Sequence, residues 1–576
     1  MMAPAVDLEQ TFPRRSIPEG ADMGDWAQIE PLFRRLLEAS PDSPGALELW
    51  LEDANELSSV IHEEGARRYV AMTCQTDDPA REQAYLFFIE QIVPRAKPYS
   101  HAIDKAYLRS PHRAALPARY AQMDRLISNR VALFRPENVP LETEEAKLKQ
   151  QYQKVIGAMM VVFQGEERTL QQMARYLEET DRSVRHEAWE LVARRRLEDR
   201  DRLEDLFDQL LALRVRIAQN AGCADYREFA FRQRERFDYT PEDCLRFHQA
   251  VEETVLPLVR RLRSERRQAL GLAALRPWDL EVDPMGRPPL RPFETSEQLI
   301  SGVEQIFAHV DPELGEQFRF LRNASLLDLE SRKGKAPGGY QSTMHERRVP
   351  FIFMNAVGMD GDLRTLLHEG GHAFHMLAAR TDPIMDYRDA PLEFAEVASM
   401  GMEMLAGPYL GVFYPEKEEA RRAFREQLER TVLVFPWVAT IDAFQHWIYT
   451  HPRHSREERR AEWARLLVRF APEVDFSGHQ EVADYLWHRQ LHLFQVPFYY
   501  IEYGIAQMGA LQVWLRARTD RAEAIRRYRE ALSLGGSEPL PALFRAAGAE
   551  FDFSARVMAP LMAALAEALD ETRQAG

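Results

Sequence analysis

Three residues of this chain have types and spacing suited to chemistry: His368, Glu369 and His372, in the order His-Glu-x-x-His. On a helix, residues four apart leave the same face one turn apart, so both imidazoles reach a single Zn²⁺ at about 2.0–2.1 Å each. Glu369, beside the first ligand, is then placed to take a proton from the attacking water and hand it to the leaving amine. The pattern predicts a hydrolase with one zinc ion per chain, held by His368 and His372, and with Glu369 as general base and acid. Gly370 and Gly371 stand inside the same helix, where each costs about 1 kcal/mol against alanine, an expense expected where something approaches the backbone closely.

A catalytic zinc takes a third protein ligand and keeps one position open. Beyond the loop 379–390, which contains Pro383 and turn-forming Asp residues, the stretch from Pro391 to Ser399 reads as a second helix. Its carboxylates Glu393, Glu396 and Glu403 fall at helical spacings and share a broad face. Glu396 is the expected third ligand, and Glu403, two turns on, the expected orienting group for a ligand. His375 lies about 10 Å along the helix axis from His368 at 1.5 Å per residue, too far to join them, and is read as a core or supporting residue. His446, His451 and His454 are read as ordinary histidines, without metal-ligand spacing to an acidic partner.

Several elements must position these groups. Asp362, with Gly361, offers an N-cap, and Leu363, Leu366, Leu367, Phe374 and Leu377 supply apolar faces, predicting a helix over about 363–378. Val349 to Asn355 is the most strand-like stretch, so a small sheet is expected just before the metal helix. That strand is expected to offer a free edge to which an extended peptide adds through main-chain hydrogen bonds. The proline-rich stretch 275–292 and the break 333–344 interrupt the helical pattern. From Met23 to about Leu270 the spacing gives amphipathic helix after amphipathic helix, as in Leu203, Leu206, Leu210, Leu213 and Ile217. Gly338, Gly339, Gly504 and Gly509 are candidate hinge positions.

With 576 residues the chain exceeds what one core usually serves, and 45% hydrophobic with 28% charged residues is ordinary for a folded protein. The net charge of -16 argues against nucleic acid as a partner. The scattered Cys74, Cys223 and Cys244 form no CxxC pair and suit a reducing, cytoplasmic setting. No basic and apolar leader opens the sequence and no run of about 18 apolar residues occurs, so export and membrane spanning are not expected. Oligomeric state is not legible.

The segment Thr365-Leu366-Leu367-His368-Glu369-Gly370-Gly371-His372-Ala373-Phe374-His375 resembles the metal helix of the M3 zinc oligopeptidases, in particular the oligoendopeptidase F branch. Glu396-Val397-Ala398-Ser399, with Glu403 further on, is similar to that family's third-ligand helix. His492 to Gly504, reading His-Leu-Phe-Gln-Val-Pro-Phe-Tyr-Tyr-Ile-Glu-Tyr-Gly, resembles its His and Tyr-rich helix over the active site. Weaker likeness runs through Arg234 to Pro241 and Leu275 to Leu280, so the resemblance covers roughly 200–515.

It implies a mainly α, two-lobed fold with a deep channel and a small sheet beside the metal helix, taken as a helical N-terminal lobe over 1–200 and a catalytic domain over 201–576. It implies oligopeptide substrates, with Tyr500 and Tyr503 facing them. Three apart on one helix face, their phenols would stabilise the oxyanion, helped by His492. One departure is Gly370, where the family commonly has a larger residue; extra space or backbone freedom beside Glu369 is expected from it. Two other readings stand beside this one: a zinc carboxypeptidase, with Arg364 or Arg388 gripping a terminal carboxylate, and a non-catalytic peptide-binding protein on the same fold.

Overall fold

The computed structural model describes residues 6–574 apart from Lys333, Pro337 and Pro472. Residues 1–5, on which the expectation about export partly rests, and two residues of the break at 333–344 lie outside the described residues. The elements that carry the argument are α1 (Pro241–Ala250), β1 (Leu327–Glu330), β2 (Tyr340–Met344), β3 (Val349–Ala356), α2 (Asp360–Ala379), α3 (Leu392–Ala406), α4 (Lys417–Thr450), α5 (Ile501–Thr519) and α6 (Arg521–Ser533). The fold is mainly helical with two small sheets, as expected.

By packing, the chain divides into two compact units, each assembled from three stretches: 1–132, 291–424 and 506–551 in one, 133–290, 425–505 and 552–576 in the other. A cut between residues 200 and 201 follows the chain, whereas this division follows contacts, so the two describe different things.

In the first unit the sheet order is β1-β3-β2, with β1 parallel and β2 antiparallel to β3. Apolar β3 belongs in the centre, and Ile352 and Phe353 have no exposed surface. Ile352 pairs with Leu327 on one side and Gln341 on the other. This corrects one expectation: β3 is real, but both its edges are taken. The outer strands are β1 and β2, and the Tyr-Gln-Ser-Thr-Met sequence of β2 lies within the stretch read as a break.

Metal-bearing helix α2 starts earlier than predicted, at Asp360. Asp362 does cap it, from inside the first turn: its carboxylate accepts the N–H groups of Val357 and Met359, both at 2.8 Å. Among the residues that follow, Tyr387 ties the loop to the N-terminal helices, donating to the Arg119 carbonyl at 2.6 Å and accepting the Met123 N–H at 2.9 Å.

The glycines are mostly close-packing positions. A Cβ on Gly371 would lie 2.5 Å from Ser399 Cα and 2.7 Å from the Ala398 carbonyl oxygen, so α2 and α3 meet backbone to backbone. A Cβ on Gly370 would strike the ring of Phe307, which corrects the expectation of extra space there: the volume is filled. Gly504 and Gly509 are likewise pressed, against Phe247 and Val438 in one case and Val397 and Phe544 in the other, inside α5.

The second unit is helical apart from a hairpin, Met160–Phe163 with Glu166–Thr169, turned at Gln164 and Gly165, both at positive φ. The helix over 200–220 buries Leu203, Leu206, Leu210 and Ile217 as its spacing predicted, but beside them it buries Arg214 and leaves Leu213 half-buried.

Overpacking at a backbone contact costs about 1–3 kcal/mol. Gly371→Ala is therefore expected to lower the urea midpoint of the metal-free protein, while Gly361→Ala, where a Cβ meets nothing, leaves it unchanged or raises it. Equal effects at both positions would count against the close approach.

Candidate metal centre

Because α2 and α3 approach so closely, Glu396 reaches across to the histidines. Its Oε2 stands 3.3 Å from His368 Nε2 and 3.7 Å from His372 Nε2. One donor atom from each of the three residues lies within 4.8 Å of the others. Two imidazoles and a carboxylate converging in this way suit a first-row divalent ion with a position left open. The far nitrogen of the first histidine supports the fit: His368 Nδ1 is 2.7 Å from Glu403 Oε1, which orients the ring and leaves Nε2 for the ion. Ser399 Oγ donates to Glu396 Oε2 at 3.2 Å and steadies that carboxylate.

The electrostatics follow the same plan. Burial disfavours a charged His368, but its hydrogen bonds to Glu396 and Glu403 outweigh this and raise it well above the ordinary histidine value. Burial pulls His372 down to about 4. Burial raises Glu396, but the two histidines more than reverse it, to about 2, so it stays an anion. Burial pushes Glu369 up to about 7, tempered by His368 and by the Gln341 backbone N–H of β2. That amide also shows that β2 runs beside Glu369. His375 is buried against Phe394 with Nε2 unpartnered and burial takes it to about 3. It lies outside the convergent set.

His492, Tyr500 and Tyr503 are brought together in the second unit. The His492 ring centroid is 4.8 Å from that of Tyr500 and 5.8 Å from that of Tyr503, and the two tyrosines are 5.3 Å apart. They do not share one helix: Tyr500 lies in the turn ahead of α5 and only Tyr503 is in its first turn. Phe498, at φ 62°, breaks the segment just before.

Two neighbours escaped the sequence reading. Gln490 Nε2 donates to His492 Nδ1 at 2.7 Å, and Trp437 Nε1 donates to Gln490 Oε1 at 2.9 Å. This relay leaves the proton of a neutral His492 on Nε2. Only the arginines of the 234–241 stretch hinted at such a support. Arg234 Nε donates to the Pro497 carbonyl at 3.0 Å, and Arg236 donates to Glu502 at 2.7 Å and to the Phe498 carbonyl.

The arginines considered for a terminal carboxylate are already committed. Arg364 is buried and donates to Asp360 and to the Ala423 carbonyl, each at 2.6 Å. Arg388 is buried and donates to the Asp382 carbonyl at 2.9 Å and to Ser59 Oγ at 2.6 Å.

Comparison with known proteins gives the family. A sequence model described as peptidase family M3 matches residues 175–562, and one for the M3 N-terminal domain matches 22–134. The chain belongs to peptidase family M3. A solved structure of PZ peptidase A with an inhibitor superposes with a TM-score of 0.90 at 28% identity, covering 96% of this chain and 98% of that one. The chromosomal oligoendopeptidase F of Lactococcus lactis subsp. cremoris is 24% identical over 234 residues, 40% of this chain and 34% of the relative. The oligopeptidase PepF of Bacillus subtilis is 26% identical over 244 residues, 40% of this chain and 36% of the relative. The matches thus span about a third of the length of these curated relatives. Membership of the M3 family implies a metal, and His368, His372 and Glu396 are a candidate group to hold it. Among the described residues no helix is long and apolar enough to cross a membrane.

In an M3 chain built this way, Glu403→Ala is expected to weaken metal binding by about 10–100-fold, measured by competition with a chromophoric chelator, with the far-ultraviolet circular dichroism unchanged. Unaltered affinity would remove the orienting role.

Proposed function

We propose that this protein is a zinc-dependent oligoendopeptidase that cleaves internal bonds of short, unfolded peptides. The observation that carries the reading is the convergence of His368, His372 and Glu396 beside a buried Glu369 in a chain of the M3 family. Zinc, when bound, polarises the scissile carbonyl and acidifies the attacking water.

Glu369 takes the proton of that water and returns it to the leaving nitrogen, and a carboxyl poised near neutrality suits both transfers. Glu403 holds the His368 ring, and Ser399 the Glu396 carboxylate. Tyr500, Tyr503 and the Nε2–H of His492 supply donors for the oxyanion as the carbonyl becomes tetrahedral. Main-chain hydrogen bonds along the outer edge of β2 align the substrate, which favours extended peptides over folded ones and asks little of side chains. With Arg364 and Arg388 tied to other partners, neither is available for a free C-terminus, which supports internal cleavage over removal of terminal residues.

A doubly blocked, internally quenched peptide of about ten residues tests the reaction class and cofactor together. Chelator-sensitive cleavage with zinc bound is expected, and zinc binding without cleavage would sink the endopeptidase reading. Glu369→Gln is expected to abolish turnover while retaining zinc. Tyr503→Phe is expected to lower kcat by about 10²–10³-fold with little change in KM, and an unchanged kcat would take Tyr503 out of the mechanism.

A further inference from the structure

A second cluster of ligand-type side chains lies in the other unit, among residues to which the peptidase reading gives no role. Helix α1 carries Cys244 and His248, and α4 carries Asp442 and His446, each pair separated by one turn as His368 and His372 are. The sequence reading set His446 aside for want of an acidic partner at ligand spacing; Asp442, one turn earlier on α4, is that partner. All four side chains are buried: Cys244 and Asp442 have no exposed surface, His248 has 2% and His446 has 5%.

One donor atom each from Cys244, Asp442 and His446 lies within 4.8 Å of the other two. Bonds of about 2.3 Å to sulfur and 2.0–2.2 Å to nitrogen and oxygen place donors around a tetrahedral ion about 3.5 Å apart, so a small contraction would close the set. Hydrogen bonding within the cluster is incomplete in a telling way. His248 Nε2 meets Asp442 Oδ2 at 2.8 Å, which leaves Asp442 Oδ1 buried with no partner. Both ring nitrogens of His446 are also buried without a hydrogen bond, although Nε2 stands 3.3 Å from Asp442 Oδ2. Buried carboxylates and imidazoles normally satisfy such atoms, and burying a carboxylate calls for a compensating cation.

We propose that Cys244, Asp442 and His446 form a second, structural site for a zinc-type divalent ion, with His248 as the positioning residue that holds Asp442 through Oδ2 and turns Oδ1 to the metal. Thiolate, carboxylate and imidazole together select a borderline ion over magnesium or calcium. Binding releases the Cys244 thiol proton, and the ion pins α1 to α4 within their unit, where its binding energy adds to folding.

The cysteine separates this site from the catalytic one, which has no sulfur ligand. Protein produced in cobalt-supplemented minimal medium should carry two ions per chain and show a thiolate-to-cobalt charge-transfer band in the near ultraviolet. Cys244→Ser should lose the band and one ion, Cys74→Ser should keep both, and His372→Ala should lose one ion but keep the band. Wild-type protein with a single ion per chain that disappears in His372→Ala, and with no charge-transfer band, would overturn the proposal. That reading needs no variant at position 244 to fold, and it leaves the peptidase reading standing.

Discussion

The catalytic half of this molecule depends on one backbone contact, the approach of α2 to α3 at Gly371. Any side chain there would push Ser399 and the Ala398 carbonyl away, and Glu396, one turn before them on α3, would move off with its helix. The carboxylate would then no longer stand within 4 Å of both imidazoles. The far side of the contact is also fixed, because Tyr528 of α6 donates to that same Ala398 carbonyl at 2.7 Å. A glycine in mid-helix costs about 1 kcal/mol against alanine. The close approach of α3, which leaves no room for a Cβ, accounts for so unfavourable a helix residue.

The second constraint is the set of arginines around residues 491–503. Arg214 is fully buried and donates to Glu145 at 2.9 Å, to Tyr449 at 2.9 Å and to the Leu493 carbonyl at 3.0 Å, and also to the Phe494 carbonyl. Arg234 and Arg236 grip the following turn, including Phe498, whose left-handed backbone costs about 1 kcal/mol or more and persists only where the surroundings over-determine it. Its N–H donates to Gln445. Such buried charges are expensive unless fully partnered, so their use here reflects positional control of His492, Tyr500 and Tyr503 more than stability.

What could be read in the sequence was what is local. The pair His368 and His372, the helix that carries them and Glu396 on the next helix all follow from spacings of three or four residues. The strand over 349–356 also announced itself by composition, but its partner did not. β2 follows Gly338 and Gly339 directly, and strand pairing is a property of two segments, so the edge position was assigned to what is the central strand. The relay from Trp437 through Gln490 to His492 spans 53 residues in its first step and leaves no periodic trace. Asp442 and His446 did have helical spacing, yet their meaning rests on Cys244, nearly two hundred positions away. Gly370 illustrates the opposite error: the missing side chain was legible, but Phe307, which fills the space, was not.

The discontinuous make-up of each unit also sets the order in which the centre can be completed during synthesis. Ala398 leaves the ribosome 130 residues before Tyr528, the group that steadies its carbonyl, and at about 5–20 residues per second that interval is roughly 6 to 26 seconds. Throughout it, a nascent chain already bearing His368, His372 and Glu396 lacks the last stretch of its own unit, 506–551. The packing that supports the Ala398 carbonyl, and with it the unit that holds His368, His372 and Glu396, is therefore completed by a stretch made well after those residues.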